Sequence, residues 1–239
     1  MAALNLPAIE RTLLRLQQAF PQINSGLLDR RDPLDDNVLG NLLEGYAMVD
    51  RLVCKGVDIF QMGRLHHWLE LNAVVLCGSD QNVRRDHQGL IEATDQRFYA
   101  QPDGGIRDIV TWYELNRRKS SWRRAAGVYI RILSTPQLFI EGNHRTGALI
   151  MSYILAREGR PPFVLTDKNA REYFNPSSVF KKTNKRNIMM RLKLPGLAGA
   201  FAEYLKHQAN KGFLLSQKSA AATNAYEDSD MVIDPIDEL

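Results

Sequence analysis

Cysteine is nearly absent from this chain. Two residues, Cys54 and Cys77, stand alone with no CxxC pair or other metal-ligand spacing. That excludes a disulfide scaffold and a cysteine zinc site, and it suits two free thiols in a reducing cytoplasm. Long apolar runs are also missing. None reaches the roughly 18 residues of a membrane span. The N-terminal stretch "MAALNLPAIERTLLRLQQAF" carries Glu10 and Arg11 inside its apolar pattern, so an amphipathic helix is expected there and not a signal peptide. Tryptophan is scarce, at three residues, and no internal repeat is visible.

What is present is ordinary in amount and uneven in placement. Hydrophobic residues make up 44% and charged residues 24% of 239 residues, enough for one sizeable core. The formal net charge is +4. From Leu214 onward six acids (Glu227, Asp228, Asp230, Asp234, Asp237, Glu238) face one base, Lys218, so this tail carries −5 and the rest +9. A basic body attracts phosphates, nucleic acid or an acidic partner, or is simply solvated surface.

Helical periodicity dominates. Helices are expected over about 7–20; from a cap at Asp35 or Asp36 to a stop at Gly56; over 58–76, ending at Gly78; and over 84–98. Two more follow in "IRDIVTWYELNRRK" and "SWRRAAGVYIRIL", the second capped by Ser121 and closed by Pro136. "ALIMSYILA" is apolar nearly all round, as in a helix buried at the centre of a bundle. "TDKNAREYF", with Thr166 or Asp167 as cap, and "PGLAGAFAEYLKHQ" complete the set. "YAQPDGGIRD", residues 99–108, breaks the pattern and suits a tight turn or hairpin tip. The fold class expected is all-α, a bundle around a buried central helix with a short β-hairpin at 99–108. The division expected is an N-terminal helical segment 1–34, a main domain 35–213, and an acidic, disordered tail 214–239 with Met231-Val232-Ile233 as its one apolar patch.

The stretch that asks for chemistry is "STPQLFIEGNHRTGALIM", residues 134–151. A loop feeding a helix N-terminus presents unpaired N–H groups and the positive end of the helix dipole, which together form an anion site. Gly142 lets the backbone approach a ligand, Asn143 suits a cap, Arg145 offers a fork of donors, and Glu141 is a hard oxygen ligand of the kind Mg²⁺ takes. Read so, the loop is a cradle for Mg²⁺ and a polyphosphate. Read otherwise, Gly142-Asn143 turns the chain and caps a buried helix while Glu141 and Arg145 pair at the surface.

"LFIEGNHRTG" resembles the signature loop of the Fic/Doc (Fido) family, HxFx(D/E)GN(G/K)R, with Phe139, Glu141, Gly142, Asn143 and Arg145 in register. The resemblance spans about residues 35–200. It implies a Fic-like helical fold and a relation to proteins that transfer AMP from ATP to a target hydroxyl. On that resemblance Glu141 binds the metal, and Gly142, Asn143, His144 and Arg145 contact the nucleotide phosphates. Residues 99–108 would form a flap that docks the target protein. Three departures bear on activity. Gln137 stands where the family has its catalytic histidine, and an amide accepts no proton near neutral pH, so transfer is expected to be weak, altered or lost. His144 occupies the Gly/Lys position and is the alternative base. Ala148 replaces a second arginine expected to hold the γ-phosphate. "LLEGY" resembles the end of the family's inhibitory helix, with Glu44 as the inhibitory glutamate or as a plain surface residue, and Gly40 where Ser or Thr is expected.

Other signals are weaker. His66-His67 with Glu70 lacks further zinc ligands. "FKKTNKRNIMMRLK" is basic but poor in aromatics, which argues against nucleic acid. The expectation is therefore a cytoplasmic, ATP-binding Fic-type protein without a membrane segment. The alternative is a non-enzymatic protein- or nucleic-acid-interaction module on the same scaffold.

Overall fold

The structure, a computed structural model, describes residues 3–102 and 104–215. Among them are ten α-helices, two short 3-10 helices and no strand. The all-α expectation holds. The tail from 216 onward lies outside the described residues.

Helix α1 (Leu6–Ser25) begins at Asn5, whose side chain accepts from Ala8 N, with Pro7 in the first turn where its missing N–H costs nothing. It runs through Pro21, beyond the expected end near Phe20. Helix α2 (Asp36–Cys54) is capped by Asp35, which accepts from Val38 N at 2.8 Å. Helix α3 (His66–Cys77) is shorter than the periodicity predicts. Asp58 stays outside it, pairing with Arg157 at 2.7 Å, and a 3-10 turn (Met62–Arg64) intervenes. Gly78 stops α3 at φ +66. The single helix expected over 84–98 is broken at His87 into α4 (Gln81–Asp86) and α5 (Gln88–Ala100).

Of the tight turn or hairpin tip expected at 99–108, the hairpin is corrected. Helix α5 continues to Ala100 and α6 (Ile106–Leu115) starts six residues later, leaving only a turn in which Gly104 has φ +70. Two paired strands need more chain than that connection has.

Helix α7 (Ser121–Leu133) is capped by Ser120 and not by Ser121, and it ends three residues before Pro136. Helix α8 (Asn143–Arg157) is the buried one. Leu149 through Ala156 are all inaccessible, with α2, α3 and α7 packed around it. Gly45 lets α2 come close, since a Cβ there would lie 2.4 Å from Leu149 Cδ1. Helix α9 (Ala170–Lys182) starts later than Thr166 or Asp167 would place it. Thr166 and Asn169 instead bond each other reciprocally ahead of the helix, and Asn169 takes the cap position. Helix α10 (Ile188–His207) begins ahead of the expected start at Pro195, which lies inside it. The basic stretch 180–193 is thereby split between the end of α9 and the start of α10.

One apolar cluster runs from Leu4 to Phe213 and includes Ile9, Leu13, Leu16 and Phe20 of α1. The boundary expected at 34/35 therefore has no separate core on its N-terminal side. Residues 3–5 pair with 213–215 through Asn5 N to Phe213 O and Leu215 N to Ala3 O, both 2.9 Å. No helix among the described residues is long and apolar enough to cross a membrane. Both cysteines are free, Cys54 exposed and Cys77 buried.

Candidate functional site

The loop 134–142 enters α8 through Gly142, which is the N-cap at φ +72. That is the left-handed region only glycine occupies freely. Space requires glycine as well, because a Cβ would lie 2.9 Å from Asn72 Nδ2. No side chain caps the helix. Asn143, expected as the cap, is the first helical residue. Its buried amide closes the loop on itself: Phe139 N donates to Oδ1 and Nδ2 donates to Phe139 O, both at 2.9 Å. Asn72 of α3 adds a second clamp, donating to Glu141 O and to Thr146 Oγ1 at 3.0 Å each. The loop is thus held from inside, and no side chain takes up the first N–H groups of α8.

His144 is half-buried and bonded at both ring nitrogens. Nδ1 lies 3.1 Å from the Tyr129 hydroxyl and Nε2 lies 3.3 Å from Arg31 Nη1. A guanidinium only donates, so Nε2 accepts and Nδ1 carries the proton. Burial, then Arg31 and Lys181, push its pKa down to about 3. His144 is neutral with its only lone pair engaged, a poor general base. Arg145 donates to Val75 O at 3.0 Å; burial lowers its pKa, and Asp32, Asp35 and Glu141 oppose that shift.

Gly142 to Arg145 line a cavity of about 370 Å³. Arg30, Arg31 and Lys181 join Arg145 there, with Asp32 as a carboxylate. The rest of the wall is apolar or aromatic and includes Leu13, Leu16, Phe20, Tyr46, Phe163 and Phe174. Ala148 lies on the same wall. A lining that mixes cations with apolar side chains suits an amphiphilic anion.

The other residues singled out from the sequence lie elsewhere. Gln137 is half-buried, does not line the cavity, and its carbonyl accepts from Arg97 Nη2 at 2.8 Å. Glu141 is exposed and also outside the cavity lining. Among the described residues no group of three or more His, Cys, Asp or Glu side chains could hold a metal. A Mg²⁺ ion held through one carboxylate and substrate phosphates needs no such group, and Glu141 is the carboxylate nearest in sequence to the α8 N-terminus. Glu44 is exposed and lines a different groove, of about 1100 Å³ between α2, α3 and α5, where the Glu70–Arg84 pair (2.8 Å) also lies. His66 and His67 line that groove too.

Reading the sequence alone misses Arg30, Arg31, Lys181 and Asn72. "DRRDP" at 29–33 is a charged run whose place over α8 no periodicity reveals. Asn72 had a legible signal, a lone amide inside the apolar helix "WLELNAVVL".

No family model and no curated protein sequence matches the chain. Among solved structures the chain is similar to a Fic domain containing signaling protein from Bacteroides thetaiotaomicron VPI-5482, 14% identical, with a TM-score of 0.43, covering 84% of this chain and 90% of that one.

Proposed function

We propose that this chain is a Fic-type nucleotide-binding protein that holds the phosphates of ATP or a related nucleotide at the N-terminus of α8 and whose AMP transfer is lost or weak. The observation that carries the reading is the N-terminus of α8, uncapped by any side chain, on a cavity that Arg30, Arg31, Arg145 and Lys181 also line. The signature-like residues 139–145 support the Fic part. AMP transfer would require the oxygen of a target hydroxyl to attack the α-phosphorus, pyrophosphate to leave, and a base to take the hydroxyl proton. Gln137 offers no base, and the Nε2 lone pair of His144 already accepts from Arg31. General-base help is worth about 10²–10⁴ in rate, so weak transfer is the expected consequence of its loss.

Titration with ATP by calorimetry tests binding, and α-labelled ATP tests transfer. We expect heat of binding, little label on protein, and a gain of label in Gln137→His, whose imidazole titrates near neutral pH. Adding His144→Gly should raise that gain by opening the backbone to the phosphates. Ala148→Arg supplies a helix-borne guanidinium to the same wall. Wild-type labelling equal to that of Gln137→His would overturn the lost-base reading.

A second reading is a non-enzymatic interaction module. It is favoured by one observation: Asn143, His144 and Arg145 all have partners within the fold. Absence of any nucleotide or phosphate binding would decide for it.

A further inference from the structure

Arg31 sits in the connection between α1 and α2, and its backbone is clamped by Asn24: Arg31 N donates to Oδ1 at 2.8 Å and Asn24 Nδ2 donates to Arg31 O at 2.7 Å. The guanidinium reaches across to α8 and α9. It lies 3.3 Å from His144 Nε2, 3.1 Å from Ser178 Oγ, 3.3 Å from Ser177 Oγ and 3.4 Å from Phe174 O, with its centre 5.2 Å from the Phe174 ring centroid. All four of these partners are neutral. Bonds from a guanidinium to an anion are shorter, about 2.7–2.9 Å. Its buried Nε has no hydrogen-bond partner. A half-buried cation with long, neutral contacts and an orphaned donor is short of an acceptor. It lines the cavity that also holds the α8 N-terminus and the small side chain of Ala148.

We propose that Arg31 is a ligand-binding residue: a phosphate group at the α8 N-terminus draws its guanidinium, carried by the α1–α2 connection, away from His144. This rests on the phosphate-binding reading above and adds to it the residue and the coupling. The ligand class is a phosphate ester whose organic part lies against Leu13, Leu16, Phe20 and Phe163, as a nucleoside monophosphate or diphosphate would place its base.

The coupling gives a readout that a merely structural arginine would not move. The groups facing His144 are Arg31 from the connection, Tyr129 from α7, and Tyr173 and Lys181 from α9. Burial raises the pKa of both phenols, so they stay neutral, while burial first and then the two cations keep the imidazole unprotonated. An anion arriving beside His144 while Arg31 turns toward it must raise the histidine pKa.

The test is a titration of the full chain with inorganic phosphate and with ADP. Affinity is followed by calorimetry and the His144 ring by NMR, its signal assigned by His144→Gln. Wild type should bind ADP with an upward shift of the His144 pKa. Arg31→Ala should weaken binding by about ten- to a hundredfold, and Arg31→Lys by less, with the ADP-linked pKa shift reduced in both. Should Arg31→Ala fail to fold, Arg31→Lys decides by the same criterion. Wild-type binding of ADP with unchanged affinity in the Arg31 variants overturns this proposal and leaves the phosphate-binding reading standing. Failure of the wild type to bind either probe at millimolar concentration overturns that reading and this proposal with it.

Discussion

At residue scale the loop before α8 is a matter of hydrogen-bond accounting. Asn143 satisfies both backbone groups of Phe139, which are buried and have no water to turn to. Asn143→Ala orphans a donor and an acceptor at once. Each costs about 1–3 kcal/mol, so urea denaturation should show a loss at the upper end of single-site effects, with Asn143→Asp milder because it keeps the acceptor for Phe139 N. Gly142→Ala meets both positive φ and the close Asn72 amide, and should cost about 1–3 kcal/mol. His144 makes stability depend on pH. Its folded pKa of about 3 lies below an unfolded value of about 6.5, so the unfolded state binds the extra proton between those values. The stabilisation is complete above about pH 6.5 and falls as pH drops toward about 3, by at most about 1.4 kcal/mol per unit. Denaturation at neutral pH and at about pH 5 should show this slope in wild type and a shallower one in His144→Gln.

At the scale of elements, α8 is decided by what surrounds it. Its polar N-terminus ends a segment whose next turns have no exposed side, and α2, α3 and α7 close on it. The approach of α2 depends on Gly45, the glycine of the "LLEGY" stretch, whose role in the structure is contact with Leu149. Gly45→Val inserts branched bulk at that crossing. Thermal or chemical denaturation should register a loss of about 1–3 kcal/mol, whereas Glu44→Ala, one residue earlier and exposed, should stay within about 0.5 kcal/mol. Connections carry as much of the site as helices do. The α1–α2 connection brings Arg30, Arg31 and Asp32 over α8, while the α5–α6 connection, expected as a flap, is a short turn roofed on Lys185, whose aliphatic chain packs under Gly104.

For the whole molecule, a single core joins both ends of the described chain. Phe213 and Leu4 are buried together in it, and residues 3–5 and 213–215 bond to each other. Phe213→Ala should therefore act at a distance from its own helix turn. A loss of about 3–5 kcal/mol is expected, accompanied by faster amide exchange at Asn5 and Leu215, whose N–H groups make the pairing bonds. Protection at Asn5 unchanged by the substitution would show that the pairing stands without the Phe213 side chain.

The helical class, most helix stops, the buried character of α8 and the glycine at its entry were legible along the chain, because periodicity, capping chemistry and left-handed turns are local in cause. It did not mark the break at His87, the late start of α3 or the early start of α10, where long-range packing overrides weak local preference. Asn143 shows the divide within one residue. Its position beside a helix start was legible, yet its use as an internal clamp depends on Phe139 being folded over it. The cavity itself arises from long-range packing. Arg31 and His144 are more than a hundred positions apart, and no pattern along the chain states that a charged connection will cross the end of a buried helix. Contacts of that kind follow from how the helices stack, since each must bury its apolar face before the loops between them have a place to go.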